Sequence, residues 1–138
     1  MDLSNINFLA VAVGAVVSFA FGSLWYSPLL FIKAWQEGVG ISDEEFKNSN
    51  MVKTFGGSLI MIFIMSLGMA ILLRGHEAGD IDWQVGLMHG LYVGIMFVAT
   101  GAAINILYQN KSLKLWLIDT GYQVIILMIM GAIIGAWA

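Results

Sequence analysis

An all-α integral membrane protein, a single bundle of four transmembrane helices, is the fold class this sequence predicts. Three observations carry the expectation. Hydrophobic residues make up 59% of the 138 residues and charged residues 11%, with a mean hydropathy of +0.86. A water-soluble domain carries about 25% charged residues, so this chain lacks the polar side chains to cover a globule of its size. Four apolar stretches follow one another, each near or above the roughly 20 residues needed to cross ~30 Å of hydrocarbon. Aromatic residues stand near their ends, where amphipathic rings favour the headgroup level.

The first stretch covers about residues 6–30 and has Trp25 and Tyr26 near its end, with Trp35 just beyond. Met1 to Asn7 holds no Lys or Arg, so a retained first helix is expected rather than a cleaved leader. Pro28 should kink or end that helix. The loop 31–54 is the longest. Residues 29–35 read as an amphipathic segment at the interface, broken by Gly38 and Gly40. Ser42 followed by Glu45 has the spacing of a capping box and predicts a short helix. The second stretch covers about residues 55–73. The third, about 83–108, opens on Trp83 and closes on Tyr108, and the fourth, about 115–137, is bracketed by Trp116 and Trp137. The remaining loops are short, so consecutive helices are expected to be antiparallel neighbours.

The basic residues predict orientation. Lys33, Lys47 and Lys53 follow the first helix and Lys111 and Lys114 follow the third, whereas Arg74 alone stands on the other side. The excess of Lys and Arg belongs in the cytoplasm. Both termini are then expected outside, with the acidic loop of Glu77, Asp80 and Asp82.

Small residues recur every fourth position. Helix one carries Ala10, Gly14, Ser18 and Gly22, helix three Gly86, Gly90 and Gly94, and helix four Gly131 and Gly135. Such stripes let helix backbones approach closely in lipid. Four helices enclose little interior, so some of these faces are expected at a subunit interface. The expected assembly is a homo-oligomer, by default a dimer, or a subunit of a larger membrane complex, with helix one as the first contact.

Polar residues in apolar stretches are the candidate site. Asp119 lies about one turn into helix four, and a carboxylate at the bilayer centre costs roughly 2.5–3.5 kcal/mol, less near the interface. Tyr122 and Gln123 are three and four residues on and share a broad face with it. By topology, Trp25, Tyr26 and Ser27 from helix one and Asn105 and Tyr108 from helix three reach similar depth. A polar-aromatic cluster of Trp25, Tyr26, Ser27, Asn105, Asp119, Tyr122 and Gln123 is therefore expected in the cytoplasmic half. Asp119 could anchor helices by bonding a helix-one residue, Lys33 or Lys114, or it could serve an ion or a polar ligand. His89, in the outer half, could bond across the bundle or relay protons; axial ligation of a haem would want a second ligand, and His76 is in a loop.

Other chemistry is poorly served. With no cysteine, disulfides, thiolate metal sites and cysteine nucleophiles are impossible. No phosphate loop and no Ser-His-Asp set at one depth are present. The net charge of −3 comes without a basic patch, so nucleic acid is not an expected partner. No cofactor or metal is expected.

Two segments carry a resemblance. Leu24-Trp25-Tyr26-Ser27-Pro28-Leu29-Leu30-Phe31, followed by Lys33-Ala34-Trp35, resembles the signature of a bacterial membrane family, the domain-of-unknown-function family numbered 1761. Leu117-Ile118-Asp119-Thr120-Gly121-Tyr122 resembles its second signature. The resemblance implies a small four-helix protein of a bacterial inner membrane and supplies no reaction. The expected function is a non-enzymatic membrane component that assembles with itself or a complex. The alternative is a small oligomeric transporter or channel with a polar vestibule of Asp119, Gln123 and Asn105.

Overall fold

Each long helix starts on a side-chain cap. In the computed structural model, which describes residues 3–77 and 79–137, the chain forms α1 (Phe8–Trp25), α2 (Ile32–Val39), α3 (Asp43–Lys47) and α4 (Met51–Leu73). It continues with α5 (Trp83–Val93), a π-helical segment (Gly94–Ala99) running straight into α6 (Thr100–Gln109), and α7 (Leu113–Ala136). Asn7 caps α1 by accepting from the Ala10 N–H at 3.1 Å, and Ser42 caps α3 by accepting from the Glu45 N–H at 3.1 Å. Asn50, Asp82 and Ser112 do the same for Lys53, Val85 and Leu115 at 3.0, 2.8 and 3.1 Å. The first N–H groups of a helix have no partner inside it, and a short polar side chain at this position satisfies one. Caps at Asn50 and Ser112 start α4 and α7 at Met51 and Leu113, earlier than the hydropathy alone suggests.

Four of these stretches are long and apolar enough to cross a membrane: α1, α4, the continuous run Trp83–Gln109, and α7. The α1 helix ends at Trp25 rather than near Leu30. Pro28 disfavours helical backbone at Ser27, and the chain folds instead into a tight turn in which the Phe31 N–H returns to the Trp25 carbonyl at 3.1 Å. The interfacial helix after it is α2, which begins at Ile32 and ends on Gly40 at φ 85°. Gly38 does not break α2. A Cβ there would lie 3.0 Å from Leu115 Cβ, so its hydrogen lets α2 rest on the start of α7.

The α7 helix is the centre of the fold. It lies antiparallel to α1 on one face and to α5 on another, and α4 closes the triangle with α1. On the α5 face the backbones touch. A Cβ on Gly86 would fall on the Gly131 carbonyl, one on Gly90 on the Leu127 carbonyl, and one on Gly135 on the Asp82 carbonyl. Gly94 faces Val124 at the π-helical segment, where its Cβ would be 3.0 Å from Val124 Cα. On the α1 face Gly14 meets Ser66 and Met130, and Gly22 meets Tyr122. Ala10, Val11, Ile126 and Met130 are fully buried at this seam.

Two expectations are corrected here. Consecutive spans are not all neighbours: α4 and α5 barely touch. The connection 74–82 is long enough to carry α5 to the far side of α7, where glycine-to-glycine contact offers closer packing than any face of α4. The stripe on α1 is also not free to join subunits. Ala10, Gly14, Ser18 and Gly22 are buried within the chain, against α4 and α7.

Outward faces remain apolar, with Leu9, Val16, Met61, Phe97 and Leu107 all more than half exposed. Lipid makes such a surface cheap, whereas water would not. The π-helical segment misaligns its backbone bonds, and side chains take up the slack. Trp116 Nε1 donates to the Ala99 carbonyl at 3.0 Å, and Thr100 Oγ1 donates to the Met96 carbonyl at 2.7 Å. Trp116 therefore joins helices besides standing near a helix end.

Candidate functional site

At the end of the fold that carries the lysine loops, three segments meet. The turn after α1 supplies Tyr26, α2 supplies Trp35, and the first turns of α7 supply Asp119 and Tyr122. The Tyr26 hydroxyl donates to Asp119 Oδ1 at 2.7 Å, a charge-assisted length if the carboxylate is ionised. Trp25 turns the other way and donates from Nε1 to the Ile118 carbonyl at 3.0 Å. One residue pair from the α1 end thus holds α7 at two adjacent positions, 118 and 119.

The rings stack around this latch. Tyr26 meets Tyr122 edge-on at 5.2 Å and Trp35 edge-on at 6.1 Å, and Trp35 meets Phe46 of α3 at 6.0 Å. Gly22 makes room for the Tyr122 ring; a Cβ there would be 2.6 Å from its hydroxyl. Between these rings and α4 lies a cavity of about 400 Å³. Its walls are mostly aromatic: Phe19, Tyr26, Trp35, Phe46, Phe55 and Tyr122. Ser23, Thr54 and Ser58 add hydroxyls on the α1 and α4 sides. Asp119 stands behind Tyr26, bonded to that wall rather than forming one itself.

The structure therefore brings Trp25, Tyr26, Asp119 and Tyr122 together. Ser27 is close in the chain but serves its own turn, accepting from the Leu29 N–H at 3.3 Å. Gln123 is partly buried and its Oε1, like Thr120 Oγ1, has no hydrogen-bond partner among the described residues. Asn105 does not join the cluster and is corrected: it is exposed on α6. A π turn holds one more residue than an α turn, which rotates everything after it by about 100°. Residues past Ala99 leave the face that Gly86, Gly90 and Gly94 share. Tyr108 turns out with them and is 90% exposed. The vestibule drawn from Asp119, Gln123 and Asn105 is accordingly not assembled. Lys33 and Lys114 are exposed, and Lys111 Nζ donates to the Val39 carbonyl at 3.4 Å, tying α2 to the loop before α7.

Sequence reasoning missed two participants. Trp35 is expected as an interfacial anchor, and the turn at Pro28 folds it back onto Tyr26. His76 was set aside as a loop residue, yet its ring packs edge-on against His89 with centroids 4.6 Å apart. Both Nδ1 atoms meet backbone carbonyls, those of Leu73 and Val85, at 3.3 and 2.8 Å. A carbonyl can only accept, so both rings carry hydrogen on Nδ1 in these bonds. Among the described residues no three His, Cys, Asp or Glu side chains gather as a metal site would require.

A family model described as "Protein of unknown function (DUF1761)" matches residues 9–135. A search of curated proteins and one of solved structures each give no match. The match runs from the first turn of α1 to the last turn of α7, including both segments that meet at Asp119, and the chain belongs to the DUF1761 family.

Proposed function

We propose that this protein is a non-catalytic membrane component that holds a small amphiphilic molecule in the aromatic cavity between α1, α4 and α7. One observation carries the reading: a cavity of about 400 Å³ walled by six aromatic rings, with hydroxyls on its α1 and α4 sides. Ligand sites are typically concave, mainly apolar and furnished with a few polar groups, in cavities of roughly 300–1,000 Å³. The hydrogen bond of Asp119 joins the end of α1 to α7, which supports a binding rather than a catalytic role. Saturable fluorescence of the uncharged dye Nile red on the purified protein tests the reading. Ser58→Phe fills the cavity from α4 and should abolish that saturable signal; an unchanged signal would place the dye elsewhere and count against the pocket.

Self-association is a second reading, supported by glycines on outer faces. Gly57 and Gly68 of α4 and Gly101 of α6 have open space where a Cβ would stand. Small outward residues are how membrane helices approach one another. Molecular mass in detergent, measured by light scattering, separates one copy from two. For orientation, the lysine loops support both termini outside.

A further inference from the structure

The geometry points to an organic cation with an apolar body as the occupant of this cavity, and to Asp119 as its counter-charge; the inference rests on the pocket reading above. Asp119 is bonded to Tyr26, a neutral donor that supplies no counter-charge. Lys33 and Lys114 are exposed, and Lys111 reaches the Val39 carbonyl. A carboxylate at membrane depth calls for a partner of opposite charge.

The donor to Asp119, Tyr26, is a cavity wall, so a ligand in the cavity lies one side chain away from the carboxyl group. Rotation of the Tyr26 phenol away from Asp119 opens that path. The walls suit a cation as well. Faces of Trp, Tyr and Phe attract an ammonium or phosphonium group within ~6 Å of the ring centroid, and six such rings line this space. An anion of the same shape would meet ring faces and a carboxylate, both repulsive.

Tetraphenylphosphonium and tetraphenylborate share a shape and differ in charge. Binding of each to the purified protein in a non-ionic detergent is measured by equilibrium dialysis. The expected result is one saturable phosphonium site per chain that borate does not compete for. Asp119→Asn should weaken it about tenfold or more, with Asp119→Glu restoring much of the affinity. Equal binding of both ions, or full phosphonium affinity in Asp119→Asn, overturns the counter-charge while Ser58→Phe still tests the pocket. Phosphonium and Nile red binding that both survive Ser58→Phe overturn the pocket reading itself. Should Asp119→Asn not fold, the comparison of the two ions on the unaltered chain decides alone.

Discussion

Replacing Gly131 by alanine tests the packing on which the whole fold turns. A Cβ at Gly131 would fall on the Gly86 carbonyl oxygen, 2.9 Å from its carbon and 3.2 Å from Met69 Cε, where ordinary contacts begin at 3.4 Å. Met69 ends in a flexible methyl and can move. The Gly86 carbonyl belongs to the α5 backbone and cannot move without taking the helix with it. The α5 and α7 axes must therefore separate by a substantial fraction of an ångström. That loosens contacts at Gly90–Leu127 and Asp82–Gly135 as well, since both pairs are in backbone contact. Overpacking of this kind costs ~1–3 kcal/mol and occasionally more; the upper half of that range is expected, because three close approaches depend on one spacing. Alanine's better helix propensity returns up to ~1 kcal/mol, leaving a net loss of about 1–2 kcal/mol. Reversible unfolding in mixed detergent and sodium dodecyl sulfate measures it. Gly101→Ala is the control: its Cβ meets open space, so it should be neutral or slightly stabilising. Adding Gly86→Ala to Gly131→Ala should cost less than the sum, because the helices have already parted. A Gly131→Ala protein as stable as the Gly101→Ala control would refute the packing.

Three further outcomes follow from the contacts. Tyr26→Phe removes the 2.7 Å bond to Asp119 and should cost about 0.6–1.7 kcal/mol, the range of interhelical hydrogen bonds in membranes, read in the same unfolding assay. Ser66 is fully buried and donates to the Val11 carbonyl at 2.9 Å, with Gly14 against it; Ser66→Leu should force α1 from α4 and lose ~1–3 kcal/mol, more than Ser66→Ala. The absence of cysteine makes single-cysteine labelling direct: cysteine at Lys47 and at Glu77 should react with a membrane-impermeant maleimide from opposite sides, and labelling of both from one side would refute the four-span topology.

How much of this was legible in the sequence depends on the range of each signal. Hydropathy is local, and it placed all four spans. Capping is local too, and Ser42 with Glu45 was read, while Asn50 and Ser112 set starts that hydropathy placed too late. Small-residue spacing marked Gly86, Gly90 and Gly131 as close-packing positions, but spacing on one helix does not name the helix opposite. So the stripe on α1 is expected first at a subunit interface, whereas the partners of Gly14, Ser18 and Gly22 are α4 and α7. The meeting of Tyr26 with Asp119 was legible because topology puts the end of the first helix and the start of the fourth at one depth. Asn105 failed because the face was extrapolated along a straight α-helix, and no residue between Gly94 and Ala99 advertises a π turn. His76 failed because a loop has no periodicity from which to read its direction.

The carboxyl group of Asp119 is the feature that a purely structural role leaves unexplained. This chain joins its helices with neutral groups elsewhere: Ser66 to the Val11 carbonyl, Trp25 to the Ile118 carbonyl and Trp116 to the Ala99 carbonyl. An asparagine at 119 would also accept from the Tyr26 hydroxyl, without the cost of holding a carboxylate at membrane depth. If Asp119 were only a latch, Asp119→Asn would be as stable as the unaltered chain and would lose nothing else. The counter-charge reading shares the first expectation and denies the second: stability stays within about 1 kcal/mol, while phosphonium binding falls. The two measurements on one variant separate a residue that holds the cavity together from one that also charges it, and a variant keeping both stability and cation affinity would leave Asp119 as a latch alone.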